Sequence, residues 1–382
     1  MKKKLVICSP YLKSVGGTEI EAISYAIYLY DKKLFKRIII FSDSKINIQP
    51  FEKLLGDRDI KVFTYPVFFS SSLVKIINRF FSKMGFSYNI IDYLYWKYKS
   101  ITISNFLILT YTKSSYFFPI LKSVFSSKKV IGKVTMGVFT ILPNSYRNFY
   151  KKFSHLIVFN NKQKDFWIKT YGFKQMVSLD IMVTNESDLL KIPSKACVND
   201  MNLVFGFLGR VASEKNILDM ILLLDFLNNK KGFACKLIIQ GEATDHVYKE
   251  QVYKKVEELE LSSFVTFNNY FIDPSETYEF YEKIDVFLVT SLWEGGPITA
   301  LEAVAAGRFV LGYDIGAMRE RFGAFQYLIN KDFTELCVSA LAIINMTFND
   351  KEMFLKKMRE DYVLRLNNEM KLNTLMELFK DN

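Results

Sequence analysis

Two stretches of this 382-residue sequence place charged side chains next to glycine turns, where they could hold and balance the charge of a ligand. One is Trp293-Glu294-Gly295-Gly296-Pro297-Ile298-Thr299-Ala300-Leu301-Glu302, with two carboxylates eight positions apart. The apolar run Val286-Phe287-Leu288-Val289 before it reads as a buried parallel strand. Gly307, followed by Phe309-Val310-Leu311, reads as a helix end and the next strand. Strand, glycine-rich turn, helix and strand make a βαβ unit. Such units take ligands at the carboxyl ends of their strands, where Glu294, Gly295 and Gly296 fall. Two glutamates eight apart arise by chance on any charged helix; the turn, the proline and the bracketing strands make the combination informative.

The other stretch is Gly209-Arg210-Val211-Ala212-Ser213-Glu214-Lys215-Asn216, directly after an apolar strand and before a helix. Arg210 and Lys215 flank one turn, and two cations beside a helix N-terminus suit a diphosphate. The helix supplies unpaired N–H groups and a positive dipole end, and the cations neutralise phosphate oxygens. An ordinary surface loop would read the same way, and both readings stand. Val15-Gly16-Gly17-Thr18-Glu19 lies between the first strand and first helix, where glycines let a ligand approach the backbone, although no GxGxxG spacing is present. Ile239-Gln240-Gly241-Glu242 follows a further strand and either borders the same site or is only a turn.

The elements that must carry these turns alternate regularly. In the first half, strands are expected at 4–8, 37–41, 61–63, 106–109, 130–134, 156–159 and 177–183, with helical spacing at 17–30, 73–84, 146–153 and 163–171. The pattern lapses around Lys191-Ile192-Pro193-Ser194-Lys195 and restarts at 203–208. It continues through a helix at 217–227, strand 236–239, helix 247–259, strand 264–267, helix 276–283 and strand 285–289. From Phe333 onward the chain reads as helical, with a last helix at 368–379. Such alternation gives parallel sheets covered by helices on both faces. The expected organisation is α/β, with two doubly wound, Rossmann-like domains at 1–195 and 202–365 facing across a cleft. A C-terminal helical segment, 366–382, is placed so that it can cross back to the first domain.

The length suits two domains with separate cores. No apolar run approaches the roughly 18–20 residues of a membrane helix. The start, Met1-Lys2-Lys3-Lys4 before Leu5-Val6-Ile7-Cys8, has too short an apolar stretch for a signal peptide and reads as a strand. Four scattered cysteines (Cys8, Cys197, Cys235, Cys337) without CxxC spacing suggest a reduced, cytoplasmic protein with no cysteine metal site. The histidines, His155 and His246, read as a strand start and an exposed first helical turn. Asp57-Arg58-Asp59 reads as a loop, and no GKS or GKT is present to make a P-loop.

The net charge of +11 divides into +19 for residues 1–198 and −8 for the rest. One basic region, rich in aromatics, is 68–104. There Lys75, Arg79, Lys83, Lys97 and Lys99 are interleaved with Phe69, Phe80, Phe81, Phe86, Tyr93, Tyr95, Trp96 and Tyr98. Cations mixed with aromatics fit an anionic membrane surface. Nucleic acid would attract the same charge, and a merely solvated surface accounts for it as well.

Together these motifs resemble the retaining nucleotide-sugar glycosyltransferases of family 4, which have the GT-B fold, glycosyl transferases group 1 among them. The resemblance spans most of the chain and is most specific over 205–320: Gly-Arg…Glu-Lys-Asn, Gln-Gly-Glu, the two glutamates eight apart, and Gly316…Glu320. It implies that Arg210 and Lys215 hold the donor diphosphate as leaving group. It also implies that Glu302 binds the ribose hydroxyls. Glu294, with the backbone at Gly295, Gly296, Pro297 and Ile298, would bind the transferred sugar. Phe267 and Asn268 would meet the base, Gly241 would border the site, and Gly16 and Gly17 would approach the phosphates from the other domain. Glu294, Arg210 and Lys215 are then the catalytic candidates. The resemblance implies no metal and no cofactor beyond the nucleotide sugar, UDP-linked by preference. It further implies a lipid-linked glycan acceptor of polysaccharide or lipopolysaccharide synthesis, met at the inner face of the cell membrane. An epimerase of the same fold and a basic scaffold or nucleic-acid-binding protein are the alternatives. One departure concerns Lys133-Val134-Thr135-Met136-Gly137, where Met136 stands in the slot of a family histidine.

Overall fold

The structure is a computed structural model that describes residues 4–10, 12, 15–42, 46–85, 89–110, 129–135, 144–194, 202–325 and 327–380, without the side chains of 67 and 144–146. Phe86, Met136, Gly137 and Cys197 lie outside the described residues. The chain divides into two compact units, Met1–Met182 with Lys371–Asn382, and Val183–Met370.

The first unit is built on seven parallel strands: β1 (Lys4–Cys8), β2 (Arg37–Phe41), β3 (Ile60–Phe63), β4 (Asn105–Thr110), β5 (Lys129–Val134), β6 (His155–Val158) and β7 (Met176–Ser178), in the order β3-β2-β1-β4-β5-β6-β7. Side chains alternate across a strand, so unbroken apolar runs are wanted only where both faces are covered. In β1, Leu5 and Ile7 enter one core with Ala22, Ile23 and Ala26 of helix Gly17–Asp31. Val6 and Cys8 enter the other, with Phe41, Trp96, Phe106 and Trp167. Local signals fix the helix ends. Asn160 accepts the Gln163 N–H at 2.7 Å to open Asn161–Tyr171, and Gly172, at φ +67°, closes it.

The second unit repeats the plan with six parallel strands: β8 (Val204–Leu208), β9 (Lys236–Gln240), β10 (Val265–Asn268), β11 (Val286–Val289), β12 (Phe309–Tyr313) and β13 (Ile329–Asn330), ordered β10-β9-β8-β11-β12-β13. Helices Ile217–Asp225, His246–Glu258, Tyr278–Lys283, Ile298–Ala305, Met318–Phe322, Phe333–Asn345 and Phe348–Asp361 join and cover them. The α/β class, the doubly wound parallel sheets and the helical C-terminus are as the sequence implies. His155 opens β6, and His246 is the exposed first residue of its helix.

Several elements differ from expectation. The strand expected over 177–183 stops at Ser178, because its ladder on β6 ends where Leu179 N–H meets Val158 O. Helices Ile90–Lys99 and Met318–Phe322 and strand β13 were not anticipated. The first division falls at 182/183, ahead of the Pro193 linker, because 183–194 is tied into the second unit. There Asn185 Nδ2 donates to Thr277 Oγ1 at 2.9 Å, and Tyr362 Oη donates to Glu186 Oε1 at 2.6 Å. Residues from Lys371 belong to the first unit, where Leu372, Leu375 and Phe379 join its core and Phe379 meets the edge of Phe35.

Part of the aromatic set at 68–104 is interior. Trp96 is fully buried and donates to Tyr65 Oη at 2.8 Å, and Phe69 stacks on Tyr65. Phe80 and Tyr98 are exposed, and they are joined at the surface by Phe68, Leu73, Ile76, Met84, Leu94 and Ile101. Leu73, Ile76 and Phe80 recur at helical spacing along helix Ser72–Lys83 and form one apolar stripe beside Lys75, Arg79 and Lys83. Among the described residues no helix is long and apolar enough to cross a membrane.

Candidate functional site

Every strand of the second sheet is parallel, so the carboxyl ends of its strands, and the turns after β8, β9 and β11, open on one edge. The strand order reverses between β8 and β11, and the turns after these two strands are 209–216 and 290–297. Ligands of open α/β sheets bind where adjacent turns diverge in this way.

The two turns are fastened to each other. Leu292 N–H donates to Glu214 O at 2.9 Å, and Thr290 Oγ1 donates to Asn216 O at 2.9 Å. Asn216 takes a left-handed conformation (φ +48°), and its side chain donates to Asp219 Oδ2 at 2.7 Å. Lys215 and Glu294, brought from 79 positions apart, form an ion pair in which each side chain is about one-fifth exposed, 18% and 19%. Ser291 Oγ also donates to Glu294, at 3.3 Å. Arg210, 52% exposed, pairs with Glu214 at 2.8 Å.

Glycines are required where these turns press together. Gly241 has φ +140°, and a Cβ there would lie 2.0 Å from Gly209 O. Gly316, at φ +52°, would place a Cβ 2.4 Å from Gly295 O. Gly295, Gly296 and Pro297 lead into helix Ile298–Ala305, and the buried Arg321 donates to Pro297 O at 2.6 Å from behind. The sequence therefore presents two helix N-termini, two cations and two carboxylates at one edge. That arrangement can neutralise a diphosphate and leave a polar group for a neighbouring moiety.

Residues 191–338 match the family model for glycosyl transferases group 1. That stretch is a glycosyltransferase-type domain and makes up most of the second unit. Alpha-monoglucosyldiacylglycerol synthase of Streptococcus pneumoniae is 30% identical over 129 residues, which are 34% of this chain and 28% of that protein. The alignment thus spans about a quarter of that relative's length. A glycosyltransferase from Rickettsia africae superposes with a TM-score of 0.74 at 15% identity, covering 100% of both chains. Anabaena HepE in complex with UDP and glucose gives 0.74 at 14% identity over 99% of each. At such identities the likeness shows the fold, which is that of the GT-B glycosyltransferases.

The remaining candidates fall in different settings. Glu302 is buried within helix Ile298–Ala305. It is 4% exposed, and Tyr281 Oη donates to its Oε2 at 2.7 Å. Burial pushes its carboxyl up to about 7, and the tyrosine hydrogen bond opposes this only in part. Phe267 lies in β10, one residue before its end, with its ring against Tyr253, centroids 4.2 Å apart. Asn268 O accepts the Gly241 N–H at 3.0 Å. Gly16 and Gly17 belong to the first unit, at the start of helix Gly17–Asp31; a Cβ on Gly17 would meet open space. Met136 lies outside the described residues.

Sequence reasoning did not assign roles to Glu214, Tyr281 or Arg321. Glu214 stood inside the quoted turn, and its spacing of four from Arg210 was the signal available. Tyr281 and Arg321 reach the site from other helices, and no local spacing announces them.

Proposed function

We propose that this chain is a family 4 glycosyltransferase. It moves a hexose or N-acetylhexosamine, with retention, from a nucleoside diphosphate sugar to a lipid-linked glycan acceptor of cell-surface polysaccharide or lipopolysaccharide synthesis. The observation that carries the reading is the meeting of the Arg210/Lys215 turn with the Glu294–Pro297 turn at the reversal of strand order. The match to glycosyl transferases group 1 covers both turns.

In this reading Arg210, Lys215 and the N-terminus of helix Ile217–Asp225 take up the negative charge that grows on the departing diphosphate. Glu294 and the backbone of Gly295, Gly296, Pro297 and Ile298 orient the sugar, and Glu302 takes the ribose hydroxyls. Phe267, Asn268 and Gly241 border the base and phosphates. A UDP-sugar is favoured, as the fold relative HepE binds UDP and glucose. No metal is assigned, in keeping with the family resemblance. The acceptor assignment draws on the lipid-glycosylating relative and on the apolar stripe of helix Ser72–Lys83 among its lysines, which fits an anionic inner membrane face. The comparisons favour neither an epimerase nor a nucleic-acid scaffold.

Sugar release from UDP-, GDP- and dTDP-sugars, measured with acceptor-bearing anionic vesicles, tests the reading. Lys215→Ala is expected to lower turnover by roughly 10²–10³, and Phe80→Glu to lower only the vesicle-dependent part. A Lys215→Ala variant as active as wild type on every donor would sink the assignment.

A further inference from the structure

Both cations assigned to the diphosphate already have carboxylate partners. Arg210 Nη2 lies 2.8 Å from Glu214 Oε1, and Lys215 is paired with Glu294. Two cations and two carboxylates leave the two turns with no net side-chain charge, and Asp219 adds a further carboxylate in the first turn of helix Ile217–Asp225. A diphosphate can therefore reach these cations only by exchange, phosphate oxygen for carboxylate oxygen.

We infer that Glu214 and Glu294 are internal counter-anions that the donor's diphosphate displaces, Glu214 from Arg210 and Glu294 from Lys215. The inference rests on the donor-site reading above and adds a regulatory role to it. The two exchanges differ in consequence. Glu294 stands in the turn assigned to the sugar, so its release from Lys215 charges the diphosphate site and delivers a carboxylate to the sugar in one step. Glu214 has no such second task. Its main chain is fixed by the Leu292 hydrogen bond, so rotation of its side chain away from Arg210 leaves the turn intact. Glu214 acts only against retention of the anion: it weakens the grip on the spent nucleoside diphosphate and speeds its release. A nucleoside monophosphate offers one phosphoryl group where a diphosphate offers two, so an exchange at both cations favours diphosphates.

Calorimetric titration of the full chain with UDP, GDP and dTDP and the corresponding monophosphates provides the test. For whichever diphosphate binds tightest, Glu214→Gln should bind it roughly two- to fivefold more tightly than wild type, as expected for a pair whose arginine is half-exposed. Glu294→Gln should gain roughly tenfold, because its pair is more buried. The monophosphates should gain less in both variants. Should both variants bind the diphosphate no better than wild type while Lys215→Ala binds it worse, the exchange is overturned and the donor site stands. The carboxylates would then serve to orient the cations. Absence of any nucleoside diphosphate binding by the wild type overturns the donor reading and the exchange with it. Unchanged melting temperatures of the glutamine variants establish that they are folded.

Discussion

Each unit buries one glutamate under a tyrosine hydroxyl, and the two glutamates differ in what else they meet. In the first unit Tyr25 Oη donates to Glu21 Oε1 at 2.9 Å, and Lys133 Nζ lies 3.4 Å from the same oxygen. Lys133, itself fully buried, also donates to Leu179 O at 2.5 Å and lies over the Phe159 ring. In the second unit Tyr281 Oη donates to Glu302, and no ion pair to Glu302 is recorded among the described residues. Burial raises both carboxyls above their usual range. Lys133 pulls Glu21 back, whereas Glu302 reaches about 7. Depth of burial therefore does not separate the two carboxylates; the countercharge does. Glu21 has its countercharge built into β5, and Glu302 has the Tyr281 hydroxyl.

The strongest test of that contrast removes the cation. Lys133→Met should destabilise the protein by about 3 kcal/mol at pH 8, because it strands a buried carboxylate. At pH 5 the loss should shrink, since a protonated Glu21 tolerates an apolar neighbour. Denaturant titrations giving equal losses at both pH values would mean that Lys133 matters for packing and not for charge.

Glu302 should show itself through pH alone. Its carboxyl stands at 4.5 when unfolded and about 7 when folded. The folded state therefore holds the proton more tightly, and stability falls as pH rises between these values. The contribution is complete below pH 4.5 and lost by the time pH has passed 7, on the order of 3 kcal/mol in all. Glu302→Gln keeps a hydrogen-bond acceptor for Tyr281 and should lack that slope. Its stability relative to wild type should thus climb from pH 5 to pH 8. A constant difference would mean that folding does not raise the Glu302 carboxyl.

The smallest effects distinguish the hydroxyls. At pH 8 Tyr281→Phe should cost about 2 kcal/mol and Tyr25→Phe about 1 kcal/mol, because Glu21 keeps Lys133 when its tyrosine donor is lost. Thermal melts showing the reverse order would invert the comparison.

Much of this architecture was legible in the sequence because parallel strands buried on both faces are continuous apolar runs. The runs at Leu5–Cys8, Ile38–Phe41 and Val286–Val289 announce themselves without neighbours. The turns after β8 and β11 were legible for the same reason, since their places follow from the strands that precede them. Helix Ile90–Lys99 was hidden because its Tyr- and Trp-rich spacing resembles a surface more than a packed face, yet Trp96 anchors a core. Pairings such as Lys133 with Glu21, or Lys215 with Glu294, depend on which strands become neighbours, and one-dimensional spacing does not encode that. Glu302 was visible as a carboxylate at a telling interval, but its depth was not, because the cover comes from Tyr281 on another helix.

The helix Asn368–Phe379 sends Leu372, Leu375 and Phe379 into the core of the first unit, although residues 183–370 intervene in the chain. The order of synthesis is therefore not the order of completion. The first unit to leave a ribosome must wait, with part of its core uncovered, until the whole second unit has been made. A premature stop after Asn367 would leave the second unit almost entire and injure the one encoded earliest. Truncations at this end should therefore be read as lesions of the beginning.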